Sequence, residues 1–324
     1  MRRREFIAVG SAAATLLLAP EAWTQEPGRT YRLGMLALNT QAIEATRDVS
    51  FPELAKHGFV EGRNLVLDAR IGNPDEQPGL ARELVSRKPD VIFAISNVPV
   101  EAAQQATTTV PIVMFGDDPV RQGLAASLAR PGGNVTGITI LAAELDAKRL
   151  QLLHEAVPSA RRVGTLHFRG AGNRDASEQA MRTVAASAGL QLIPFDAGTT
   201  TEYQTAFAAM RNAGAQALVI TANSRLYRDG PQLVALAAEV GLPTVCEWAE
   251  MARTGCVIGY GPSLREMRRR AGDYIARLFQ GTPPSALPIE GPTHFELAIN
   301  LKAARAFGIQ MPQGLLLRAD EVIE

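Results

Sequence analysis

From Tyr31 onward the chain alternates short apolar runs with longer amphipathic ones, and that alternation leaves few architectures open. Short apolar runs read as strands buried on both faces, and the amphipathic stretches between them read as helices covering a parallel sheet. In the first half the spacing predicts strands at Tyr31 to Leu38, Leu65 to Arg70, Asp90 to Ile95 and Ile112 to Phe115. In the second half it predicts them at Arg162 to Phe168, Leu190 to Phe195, Ala217 to Ala222, Pro243 to Cys246 and Cys256 to Tyr260. Tyr203, Phe207 and Met210 recur at i, i+4 and i+7, as do Leu233, Ala237 and Val240, so their segments read as core-facing helices rather than cofactor boxes. A chain of 324 residues, 46% apolar, has the length for two such lobes at roughly 100 to 200 residues per domain.

In an open α/β sheet, ligands bind at the carboxyl ends of the strands. The segment GDDPVRQGLAASLARPGGNVTG, 116–137, follows one such end, and its prolines and glycines predict turns around a short helical stretch. Asp117 and Asp118 fall where that strand meets solvent. Other strand ends of the first half carry Asn39 with Thr40 and Ser96 with Asn97. Those of the second half carry His167, Phe168 and Arg169, then Asn223 with Ser224, then Glu247 with Trp248, and Tyr260 closes the series. Ser96 and Asn97 open a helix expected from Val98 to Thr107, where free N–H groups and the helix dipole suit a carboxylate. Asp117, Asp118 or Glu247 suit an ammonium, Arg169 an oxyanion, and Trp248, Phe168 or Tyr260 a planar group. Each residue also has a plainer use: Ser and Asn as helix caps, Asp118 in a turn before Pro119, Trp248 in a core, Arg169 on a solvated loop.

Enzyme classes find little support. There is no G-x-G-x-x-G after a first strand, no P-loop, no G-x-S-x-G and no H-E-x-x-H. The four histidines, His57, His154, His167 and His294, follow no metal-binding spacing, so neither a metal nor a cofactor is expected. With 33 basic against 33 acidic residues, the chain offers no field for gripping nucleic acid, and its partners should be small molecules or proteins.

The amino terminus, MRRREFIAVGSAAATLLLAPEAWTQ, reads as an export signal over residues 1–24: arginines, an apolar stretch too short to cross a bilayer, then small and polar residues. Arg3 and Arg4 with Phe6 and Ile7 look like a twin-arginine signal, although Arg2 stands where Ser or Thr is usual, so ordinary Sec export stays open. No cysteine lies nearby to carry a lipid, and the expected location is the periplasm without a lipid anchor. Cys246 and Cys256 each border a predicted strand in a compartment where disulfides persist. A bridge and two buried thiols are both compatible with that spacing.

Several segments together are similar to one family. YRLGMLAL, HGFVEGRNL at 57–65, DPVRQGLAASLARPGGNVTG, KRLQLLHEAVP at 148–158, YGPSLREMRRRA at 260–271, PTHFELAINLKAARAFGI at 292–309 and the terminal LLLRADEVIE resemble the ABC-transporter substrate-binding proteins that include the tryptophan-binding TrpX type. The resemblance implies a type I periplasmic binding protein: two doubly wound parallel-sheet lobes joined by a three-strand hinge, closing on a small molecule and presenting it to ABC permease subunits. It implies a first lobe of residues 30–140 plus 261–288 and a second of 141–260 plus 289–324, with crossings at 136–141, near Tyr260 and around Leu287 to Ile289. A periplasmic sensor feeding a receptor kinase is the alternative use of the same closure. At 167–173 this chain reads HFRGAGN where the family usually reads like WNPANP, so the floor of the pocket in the second lobe is expected to differ.

Overall fold

The computed structural model describes residues 28–324, and the expected export signal lies outside them. Each apolar run of the first half forms a strand: β1 Tyr31–Ala37, β2 Leu65–Ile71, β3 Val91–Ile95 and β4 Ile112–Gly116, followed by β5 Val135–Thr139. They pair in the order β2-β1-β3-β4-β5, every pair parallel. The second half repeats the plan with β6 Arg162–Phe168, β7 Gln191–Ala197, β8 Ala217–Ile220, β9 Thr244–Cys246 and β10 Ile258–Pro262, ordered β7-β6-β8-β9-β10. Each sheet therefore reverses its winding once, between β1 and β3 and between β6 and β8, which opens a crevice at the carboxyl ends of its strands.

The chain crosses between lobes three times. It leaves β5 through Ile140 and Leu141 into the helix Ala142–Ala156, which lies on the second sheet. It returns after β10 into the helix Leu264–Phe279, which covers the first sheet, and then adds the two-residue strand β11, Ile289–Glu290, beside β5. Beyond residues 291–294 it completes the second sheet with β12 Phe295–Asn300 and β13 Glu321–Ile323.

Four local expectations change. Gly261 and Pro262 belong to the second sheet because they pair with Glu296 and Phe295, and Ile289 and Glu290 belong to the first because they pair with Gly137 and Ile138. Both crossings thus fall about two residues later than expected. Val135–Thr139 is a full, buried strand before it is a crossing. Residues 117–134 contain turns but no helix, because Gly123 takes φ 72° and Leu124 N–H turns back to Pro119 O at 2.8 Å. Lastly, β12 runs antiparallel to β10 in an otherwise parallel sheet. At Gly137 a side chain is excluded outright: with φ 132°, a Cβ would lie 2.3 Å from Met114 O on the neighbouring strand.

Cys246 and Cys256 are joined as a disulfide, with their Cα atoms 6.2 Å apart. The bridge closes a loop that carries Glu247, Trp248 and the 3-10 turn Ala249–Thr254 between β9 and β10. Closing so short a loop removes chain entropy worth about 2 to 3 kcal/mol from the unfolded state. Reduction, or the double change C246S/C256S, should lower unfolding free energy by about that amount in a denaturant titration; an unchanged midpoint would show that the bridge does not form in solution.

Candidate functional site

In the first lobe the strand ends line up in sheet order as Thr139 after β5, Asp117 after β4, Ser96 with Asn97 after β3, and Asn39 after β1. Facing them from the second lobe are Glu247 after β9, Asn223 with Ser224 after β8, and Phe168 with Arg169 after β6. The rule that put polar residues at strand ends therefore gathers most of the predicted set into two rows. Their hydrogen bonds then divide the set further.

Asn39 Oδ1 accepts from Ala42 N–H at 3.0 Å as a cap, beside the exposed Thr40. Asn97 Oδ1 accepts from Asp117 N–H at 2.8 Å and so joins two neighbouring strand ends. Asp118 is half-exposed and paired with Arg121 at 2.7 Å. Arg169 is exposed and paired with Glu202 at 3.4 Å. Asn223 caps the helix Ser224–Arg228 through Arg225 N–H, and its own N–H donates to Glu247 Oε2 at 3.1 Å. Phe168 packs against an apolar cluster that includes residues of both lobes, Tyr260 stacks on Phe295 at 6.2 Å, and Trp248 is buried with Tyr227 edge-on at 6.3 Å.

Asp117 behaves differently. It is 6% exposed; its Oδ1 accepts from Ala142 N–H at 2.8 Å, tying the first lobe to the first helix of the second, while its Oδ2 is buried without a partner. Thr139 Oγ1, one strand over, is likewise buried and unpartnered. Three residues around them hold positive φ without being glycine: Ser96 at 80°, Asp118 at 41° and Leu141 at 57°. Such conformations cost on the order of 1 to 3 kcal/mol each and persist where the surroundings enforce them.

Two features carried no legible mark. The helix Ala142–Ala156 contains Asp146 and Arg149, both fully buried and paired at 2.7 Å. Arg149 also donates to Glu247 O and Tyr260 O at 2.8 Å each, and Asp146 accepts from Ala222 N–H and Ser177 Oγ–H. Their i, i+3 spacing inside a charged helix gives no sign of that burial. Arg268, in an arginine-rich helix, is buried at the lobe junction over the ring of Phe115. Two surface grooves, of about 500 Å3 beside Arg121, Glu144 and Asp175 and about 410 Å3 beside Glu266, Arg270 and His294, touch none of these buried unpartnered atoms. Among the described residues no group of three or more His, Cys, Asp or Glu side chains is placed to hold a metal ion.

Comparison with known proteins gives this geometry a family. The family model for ABC transporter substrate-binding proteins matches residues 38–323. This chain belongs to that family. It is a family of binding proteins rather than enzymes, and its members are in general extracellular or periplasmic. A tyrosine-binding protein of Clostridioides difficile (strain R20291) is 24% identical over 260 residues, covering 79% of this chain and 74% of its own length. A conserved domain protein from Vibrio cholerae superposes with a TM-score of 0.85 at 26% identity, covering 91% of this chain and all of its own. An ABC domain from Streptococcus pneumoniae in complex with L-Trp superposes with a TM-score of 0.83 at 21% identity, over 91% of this chain and 100% of its own. The fold expected of a type I periplasmic binding protein is therefore the one observed.

In this substrate-binding protein the junction is electrostatically uneasy. Burial pushes the Glu247 carboxyl up to about 8 against the opposing pull of Arg149, and Asp146 and Asp117 raise it further. Burial also lifts Asp117 to about 6, although the bond from Ala142 N–H opposes the shift. Folded Glu247 thus keeps a proton that the unfolded chain releases above about 4.5, the ordinary value. Its contribution to stability is complete below that value and is lost as pH rises through about 8. Denaturation of the wild type at pH 5 and pH 8 should show a decline on the order of a few kcal/mol, and E247Q, neutral throughout, should flatten it. A slope unaltered by E247Q would mean that Glu247 is not desolvated.

Proposed function

We propose that this protein is the periplasmic solute-binding component of an ABC importer, taking a small organic molecule, an amino acid or other carboxylate, aromatic or otherwise, between its lobes and presenting it to permease subunits in the inner membrane. The observation that carries this reading is the buried Asp117 Oδ2, whose carboxylate acts electrostatically on Glu247 across the junction and which has no partner among the described residues. A desolvated polar atom without a partner costs about 1 to 3 kcal/mol, and a polar ligand removes that cost. Two carboxyl groups, one from each lobe, suit an ammonium because each regains a charge partner as it ionises.

Phe115 and Trp248, each within two residues of one of those acids in sequence, are buried rings, and Tyr227 lies edge-on to Trp248 at 6.3 Å. An amino acid with an aromatic body suits such rings, and the tyrosine-binding relative and the L-Trp complex support that class. The export-like amino terminus supports the periplasm as the place of work.

Thermal-shift measurements on protein unfolded and refolded to strip carried solute test the reading. The panel comprises amino acids, simple carboxylates, aromatic acids and sugars. A true ligand at 100 times its dissociation constant should add about 2.7 kcal/mol, a shift of several degrees, and should be recovered chemically intact. Turnover of the bound compound would point instead to an enzyme, and silence across the panel would count against solute capture.

A further inference from the structure

The arginines of the helix Leu264–Phe279 divide by what they meet. Arg269 pairs with Glu266 and Glu53, and Arg270 pairs with Glu290 and Asp273. Arg268 pairs with no carboxylate among the described residues. It is 7% exposed, and its Nε and Nη1 are buried with nothing to accept their hydrogens. Its guanidinium carbon lies 5.4 Å from the centre of the Phe115 ring, two residues before Asp117. The charges that act on it belong to Tyr227 and Glu250, which are in the second lobe and are bound to each other at 2.8 Å. A first-lobe guanidinium therefore lies within electrostatic reach of the second lobe, over the end of β4, with Nε and Nη1 unpartnered.

A buried, uncompensated guanidinium destabilises the fold that contains it, and an apolar replacement of similar volume is commonly neutral or stabilising. Stacking on Phe115 orients its plane. Each edge of the guanidinium pairs Nη2 with one of those two nitrogens, Nε or Nη1, and such an edge matches the two oxygens of a carboxylate, a geometry that an ammonium point charge cannot reproduce. Arg169, the oxyanion fork suggested by the sequence, is 62% exposed and already paired with Glu202. Arg268 fills that role from the opposite lobe.

We infer that Arg268 is the anchor for the carboxylate of the bound solute, a group separate from the acids Asp117 and Glu247. The inference rests on the junction being a solute site. It adds the prediction that recognition requires an ionised acid, so a solute whose acid is converted to a carboxamide loses its hold although its body and ammonium are unchanged.

The experiment is isothermal titration of wild type, R268M and R268K with L-tryptophan, L-tyrosine, L-glutamate and 3-phenylpropionate, each beside its carboxamide, together with melting curves of the unliganded proteins. Wild type should bind at least one acid 30-fold or more tighter than its amide. R268M should reduce acid binding to the level of the amide while the unliganded protein melts no lower than wild type, and R268K, which keeps the charge without the fork, should lose about tenfold for the acid alone. A purely structural clamp between lobes would do the reverse: R268M would melt lower, and the acid-to-amide ratio would be unchanged in R268K. Acid affinity within threefold of wild type in either variant overturns the inference and leaves solute capture standing. Wild-type protein that binds neither acids nor amides overturns solute capture itself, and this inference with it.

Discussion

The second lobe is organised around one buried ion pair. Arg149 is fully enclosed and uses its guanidinium to hold Asp146, the carbonyl of Glu247 and the carbonyl of Tyr260. Asp146 in turn fixes the N–H of Ala222 after β8 and the hydroxyl of Ser177 on the adjoining helix. One side-chain pair thereby sets the ends of β8, β9 and β10 against two helices. Desolvating two charges is costly, and the pair is tolerable only because nearly every lone pair and donor is satisfied. Its consequence is positional: Glu247 and Trp248 stand where they do because the backbone between β9 and β10 is held by Arg149 from beneath and by the Cys246–Cys256 bridge at its base.

The first lobe meets that framework through Asp117. One carboxylate oxygen caps Ala142 across the first crossing, so the residue tethers the hinge while its second oxygen stays buried and unpartnered. The third crossing is held against the first by Thr136, whose hydroxyl donates to Leu287 O at 2.8 Å, and by Tyr274, whose hydroxyl donates to Pro288 O at 2.7 Å. These bonds lie within the first lobe, below the crossings. They leave bending to residues 140–141, 262–263 and 291–294, where Leu141 already holds a left-handed conformation. Three strands crossing side by side allow the lobes to swing while resisting their sliding apart.

What the sequence made legible follows from how local each signal is. All nine predicted strands are present with ends displaced by at most about two residues, because a buried parallel strand announces itself by an unbroken apolar run. β11 is only two residues long, and β12, FELAIN, begins on half-buried positions and runs antiparallel, so neither bears that mark. Strand-end residues were legible by the same rule that places clefts in α/β sheets. The arginines were not. Arg149 and Arg268 occur in helices dense with charge, AAELDAKRL and LREMRRRAGDY, where periodicity alone describes a solvated face. Their burial is decided by contacts between segments more than ninety residues apart, such as Arg149 with Glu247, and no local pattern encodes that.

Arg149 and Arg268 also show how the same residue type serves two ends. Where the chain supplies every acceptor, a buried guanidinium is a fixed part of the framework. Where it supplies none, the protein bears a desolvation cost whenever the lobes meet, and Asp117, Thr139 and Arg268 bear it together. In water these groups are hydrated as long as the lobes are apart, so closing an empty site forfeits hydration without replacing it. Under the proposed reading, a zwitterionic solute would supply an acceptor for Arg268 and a cation for the acids, making closure favourable only when it is present. Ligand-dependent closure needs such a difference in free energy between the two states, and a junction of mutually unsatisfied groups from both lobes is a direct way to build one.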